Sequence, residues 1–100
     1  MAGHIDVVIT VKDGQVQVRP DPFIIHKHRD EVVRWRCNNN GGEFMVEFGT
    51  DSPFYETQFT KDFPCSGLVR REVAPDDFRL YKYTVRVGKK ILDPGGGVRK

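Results

Sequence analysis

Apolar or aromatic residues occupy every second position from Tyr81 to Val87, in the run Leu80-Tyr81-Lys82-Tyr83-Thr84-Val85-Arg86-Val87. This is the period of a half-buried β-strand, in which alternate side chains point to opposite faces and one face needs a cover. A helix would scatter the same residues around its circumference and bury none of them consistently. The run therefore requires a sheet with a packed inner face. No window of the chain sustains a 3.6-residue period, so long helices are not expected. Many short alternating segments with frequent turn signals point to an all-β sandwich or barrel.

The other segments follow the same logic. Ile5, Val7, Ile9 and Val11 share one phase, and Asp13-Gly14 is a favoured two-residue hairpin turn because both residue types accept positive φ. Gln15 to Val18 reads as the returning strand. Pro20 and Pro22 interrupt the ladder, since neither donates a backbone hydrogen bond. Phe23 to His28 reads as a further short strand closed by a turn at Arg29-Asp30. Glu31 to Cys37 is the clearest central strand, with Val33, Trp35 and Cys37 on one face and Val32, Arg34 and Arg36 on the other. Asn38 to Gly42 is a loop by composition. Glu43 to Phe48 alternates with Phe44, Val46 and Phe48 inward. A long irregular connection is expected from Gly49 to Ser66, anchored by Phe54, Phe59 and Phe63. A short strand is expected over Gly67 to Val73, a turn over Ala74 to Asp77, and a fraying tail at Gly95-Gly96-Gly97.

One hundred residues make one domain, residues 1–100, with a modest core. No apolar run is long enough to cross a bilayer, and the N-terminal residues lack the basic and apolar regions of a secretory signal. Taken as full length, the chain reads as cytoplasmic; a trimmed start would fit a periplasmic protein. The net charge of +2, with both signs well mixed, leaves nucleic acid open as a partner without favouring it. Cys37 and Cys65 stand far apart without a C-x-x-C spacing. They read as two reduced thiols, or as a disulfide if the compartment is oxidising.

The Tyr-x-Tyr-Thr-Val run at Tyr81–Val85 resembles the last long strand of cupredoxins, the Greek-key sandwiches that hold blue copper. Asp30-Glu31-Val32-Val33-Arg34-Trp35 is similar to their Gly-Asp-x-Val-x-Trp turn and strand. The Asn-Gly loop and Phe44 to Phe48 stand where that family places its first histidine ligand. Asp51-Ser52-Pro53-Phe54, Ser66 to Arg70 and Leu92-Asp93-Pro94 look like small bacterial cupredoxin-like proteins of unassigned function that also lack copper ligands. The resemblance covers nearly the whole chain and implies a Greek-key β-sandwich of seven to eight strands. In this chain Val87 and the loop Gly88 to Pro94 occupy the positions of the family's Cys, His and Met ligands. A type 1 copper site needs two imidazoles and a thiolate, so no cofactor is expected.

Other chemistry has few supports. His26-Lys27-His28 would put two imidazoles on one side of a strand, about 7 Å apart. That makes His26 and His28 weak candidates for a metal site, because structural zinc takes four ligands and catalytic zinc three. Ser52 and Ser66 lack a nucleophile-elbow pattern, and no glycine-rich phosphate loop opens a helix. Enzymatic activity is not expected. Arg34 and Arg36 project from the face opposite Trp35, and a neighbouring Gly67–Val73 strand would bring Arg70 beside them. Such a positive face would suit an acidic protein surface or a nucleic-acid backbone. The expectation is a non-enzymatic binding module that uses Arg34, Arg36 and Arg70 on a protein partner, away from any membrane. A metal-handling protein using His26 and His28, or a weak nucleic-acid binder, is the alternative.

Overall fold

The computed structural model describes residues 3–38, 40–73 and 78–99. Its strands are β1 (His4–Lys12), β2 (Gln15–Arg19), β3 (Phe23–His26), β4 (Val32–Cys37), β5 (Met45–Glu47), β6 (Gln58–Thr60), β7 (Phe78–Lys82), β8 (Thr84–Val87), β9 (Lys90–Leu92) and β10 (Gly95–Arg99). Short 3-10 turns cover Lys27–Arg29 and Asn40–Gly42. Among the described residues there is no α-helix, and no helix long and apolar enough to cross a membrane.

Three sheets enclose one core. Their strand orders are β2-β1-β4, β3-β10-β7 and β6-β5-β8-β9. Most neighbours are antiparallel, but β1 runs parallel to β4 and β3 parallel to β10. The hairpin joining β1 to β2 turns at Asp13 and Gly14, with φ of 52° and 76°. This is the geometry that twists a two-residue turn with its strands. Alternation then decides the core: Val7, Ile9, Val16, Val18, Val33, Trp35, Val46, Val85 and Val87 are all buried.

Four expectations change. The run from Tyr81 to Val87 is not one strand. It divides at Tyr83, whose backbone N–H donates to Pro94 O at 3.1 Å. On one side of that residue, β7 pairs with β10; on the other, β8 pairs with β5 and β9. The phase survives the change of sheet, because Tyr81, Tyr83, Val85 and Val87 remain buried. The connection after Gly49 contains β6, paired to β5, and Phe63 is 76% exposed instead of anchoring it. Gly67–Val73 forms no ladder strand: Val69 makes a single bridge to Phe54, and Val73 N–H closes a turn on Arg70 O. The expected turn at Ala74 to Asp77 lies outside the described residues.

The fourth change is the largest. Gly95-Gly96-Gly97 does not fray but begins β10, the central strand of its sheet. Three consecutive glycines carry no alternation, so their partners decide the pairing. A Cβ at Gly96 would stand 2.1 Å from Cζ of buried Phe23, and one at Gly97 would stand 2.3 Å from Cε1 of Phe78. The two rings lie directly on the glycine backbone from opposite faces and take the place of missing side chains. The glycines are therefore a steric requirement of β3 and β7.

Tyr81 and Tyr83 stand on the inner phase, 1% and 2% exposed. Burial raises the pKa of both above the usual tyrosine value; the Arg79 guanidinium partly opposes this at Tyr81, as does the Trp35 hydrogen bond at Tyr83. A phenol whose pKa rises on folding contributes stability below its unfolded pKa of about 10, and that contribution is lost as pH climbs beyond it.

Two expected outcomes follow from the core. Gly96→Ala should destabilise the fold by about 1–3 kcal/mol, the range for overpacking, where an accommodated Gly→Ala change would stabilise it. Urea unfolding checks this, and an unchanged midpoint would mean that Phe23 does not rest on the strand. In alkali, Tyr83 phenolate absorbance, taken as the difference between wild type and Tyr83→Phe, should grow only as the β-sheet circular dichroism is lost.

Candidate functional site

β4 is held on both edges, which fixes where its outward arginines stand. On one side β1 runs parallel, pairing Asp6 with Arg34 and Val8 with Arg36. On the other side the segment 64–66 acts as a short strand. Trp35 N–H donates to Pro64 O at 3.0 Å, Ser66 N–H donates to Val33 O at 2.7 Å, and Val33 N–H donates to Ser66 Oγ at 2.8 Å. Ser66 is buried, and its hydroxyl also donates to Gly67 O. The inner phase of β4 is sealed by Trp35, whose ring stacks on Phe59 at 4.9 Å between centroids. Arg34 and Arg36 therefore have no choice of side and are exposed.

The pairing adds a further cation. Val8 pairs with Arg36 on β4 and with Arg19 on β2. The row Arg19–Val8–Arg36 thus crosses the sheet and places the two arginines about 10 Å apart, two strand spacings. Arg34 stands two residues from Arg36, roughly 7 Å along β4. Lys12 lies at the hairpin end of the same phase of β1. The outward face of β2-β1-β4 carries Lys12, Arg19, Arg34 and Arg36 against the single carboxylate of Asp6, a local excess larger than the net +2 of the whole chain.

Among the described residues, Arg19, Arg34 and Arg36 make no ion pair. Asp6 contacts His4 instead, with Nε2 to Oδ1 at 3.5 Å. No aromatic side chain stands among the outward positions of the three strands. Where β4 meets the loops, a cleft of about 450 Å³ has His4, Asp6, Arg34, Arg36, Gly42 and Lys61 in its lining. Lys61 Nζ donates to Gly41 O at 3.0 Å, next to the lining residue Gly42.

Arg70 does not join this face. The strand expected to carry it beside β4 is replaced there by 64–66, and Val69 pairs with Phe54. Arg70 Nε donates to Ser52 O at 2.8 Å, and Nη1 lies 3.8 Å from Glu72. It belongs with Asp51 and Arg79, whose charges act on Tyr81. Sequence phase alone identified Arg34 and Arg36. Arg19 needed the β1–β2 register, and Lys61 needed the loop closure onto Gly41.

The histidine pair also changes. β3 ends at His26, and a 3-10 turn carries His28 onward, so the two residues do not share a strand face. Glu31 Oε1 accepts from the His26 backbone N–H at 2.6 Å and contacts its Nδ1 at 3.0 Å. Among the described residues no group of three or more His, Cys, Asp or Glu could hold a metal ion. Val87 and Phe44 face the core, and Met45 lies on the opposite phase from Val46. Cys65 sits opposite Arg34, about 10 Å of strand from the level of Cys37. That exceeds the roughly 7 Å Cα separation a disulfide spans, and the two are not bridged. The Ser52 hydroxyl donates to Glu56 O and receives Phe54 N–H, a turn-forming role. No family model matches the chain, and no curated protein matches it either.

Ser66→Ala should strand the buried Val33 N–H and destabilise the protein by about 1–3 kcal/mol, the cost of an unmet buried donor. A denaturation midpoint equal to that of wild type would show that the segment 64–66 does not hold β4.

Proposed function

We propose that this chain is a non-catalytic binding module on a copper-free sandwich of cupredoxin type, and that it docks an acidic protein surface through the outward face of β2-β1-β4. The observation that carries the reading is the set of three arginines, Arg19, Arg34 and Arg36, that make no ion pair among the described residues and share one outward sheet face. The planar guanidinium fork loses less freedom per hydrogen bond formed with a carboxylate than a lysine does, and complementary potentials steer encounter. The absence of outward aromatics on these strands favours a protein over single-stranded nucleic acid, whose non-specific binders stack bases on aromatic rings. The cupredoxin assignment rests on the resemblance of Asp30–Trp35 and Tyr81–Val87 to that family. It also draws on the all-β fold, with Val87 buried where a thiolate ligand would stand.

The test compares wild type with the triple variant Arg19→Glu, Arg34→Glu, Arg36→Glu. Fluorescence anisotropy is measured against poly-L-glutamate and against a single-stranded DNA of equal charge. The triple variant should keep its circular dichroism, because exposed substitutions usually cost little. Wild type should bind polyglutamate with an affinity that falls as salt rises. The variant should lose at least about tenfold, since several charge pairs are reversed together. Unchanged affinity in the variant, or tighter binding of the DNA by wild type, overturns the proposal.

A further inference from the structure

The cleft at one end of the basic face has a more specific chemistry than the face as a whole. Arg34 and Arg36 enter it from consecutive outward positions of β4, and Lys61 enters from the loop that follows β6. These cations come from two separate segments and share one space of about 450 Å³. Neither arginine has an ion pair among the described residues. The one carboxylate in the lining, Asp6, lies within pairing distance of His4. Lys61 spends one hydrogen on Gly41 O, and an ammonium has three to donate. Arg34 pairs across the ladder with Asp6, yet no ion pair forms between them, so its guanidinium is available to a ligand.

Charge counting then selects the ligand. A carboxylate carries one negative charge and is satisfied by a single guanidinium fork. Arg34, Arg36 and Lys61 less Asp6 give the lining a formal charge of +2, so one carboxylate leaves a positive charge unmatched. A phosphomonoester carries about −1.5 to −2 at neutral pH and has three acceptor oxygens, enough to meet two arginine forks and an ammonium together. A phosphodiester within a nucleic acid carries one charge per phosphate and would again be short.

We infer that the cleft formed by Arg34, Arg36 and Lys61 is a phosphomonoester site that recognises a phosphorylated side chain on the acidic partner. The inference rests on the proposed function, because it places the phosphate within the face that docks the partner. It adds a point of selectivity: the broad face attracts acidic protein, and the cleft distinguishes a phosphorylated residue from a carboxylate.

The test uses two labelled peptides, Gly-Glu-phosphoserine-Glu-Gly and the same peptide with Glu at its centre, titrated by anisotropy into the full chain. The phosphopeptide should bind at least about tenfold more tightly, the scale set by one or two extra charge-assisted hydrogen bonds. Lys61→Met and Arg34→Gln should each remove that preference. Arg19→Gln, on the face but outside the cleft, should weaken both peptides equally and keep it. Equal binding of the two peptides overturns the phosphate inference and leaves the acidic-face reading standing, whereas failure of both to bind overturns the two together. Preference retained in Lys61→Met and Arg34→Gln also overturns it. Inorganic phosphate should displace the phosphopeptide only when present in large excess; displacement at equal concentration would make the cleft a free-anion site and overturn the assignment to a partner side chain.

Discussion

The Trp35 ring touches aromatic rings from both of the other sheets. It comes from β4 in the first sheet and meets Phe23 of β3 in the second edge-on at 6.1 Å. It stacks on Phe59 of β6 in the third at 4.9 Å. Phe48, Phe54 and Tyr83 complete the ring cluster, and Trp35 Nε1 lies 3.5 Å from Tyr83 Oη as a donor. Offset and edge-on arrangements of this kind add directional preference to the area they bury. The strands around them are short, several with only three residues. Strands of that length have few ladder bonds, so side-chain packing between sheets has to supply the cohesion that a longer ladder would provide.

The parts of this fold that sequence made legible are those where one side chain reports its own environment. Alternation placed Val33, Trp35, Phe44, Val46, Phe48 and Val85 inward without reference to any other strand. Asp13-Gly14 announced its turn because the backbone there needs positive φ at both residues. The strand at Gly95–Gly97 was illegible because its specification lies elsewhere. A glycine tract has no face of its own, and Phe23 and Phe78, more than fifteen residues away in the chain, supply the rings that make it a strand. Phe63 failed for the opposite reason. It is apolar and sits among buried phenylalanines in sequence, but the tight turn between Thr60 and Phe63 points it away from the core.

The same distinction divides the candidate site. Arg34 and Arg36 follow from the phase of β4, since the residue between them is Trp35 and can only face inward. Arg19 joins them through a register that depends on the length of the β1–β2 hairpin, and a two-residue turn sets that register. Arg70 left the set because Gly67, at φ 71°, turns the chain before a second ladder can form. Its guanidinium then meets the Ser52 carbonyl. Arginine phase along a strand is a local property; arginine proximity between strands is a topological one.

β4 separates two tasks by face. Its inward phase carries the residue on which the sheets converge, and its outward phase carries charges without partners in the described chain. Clustered like charges oppose folding through self-repulsion, so the arginine row contributes nothing to the stability of the isolated domain. An exposed cation is worth little to a fold even when paired, typically below about 1 kcal/mol. The stability of this domain therefore comes from its buried core, to which the inner side of β4 contributes Val33 and Trp35, and neutralising the outer side leaves that source intact. A rigid strand with one face committed to the core offers its other face at fixed spacing, with the arginine side chains held about two residues apart. That spacing is imposed by packing on the opposite side of the same strand. The geometry offered to an anionic partner is thus set by Trp35, whose ring packs into the core, and by Ser66, whose hydroxyl holds the β4 backbone.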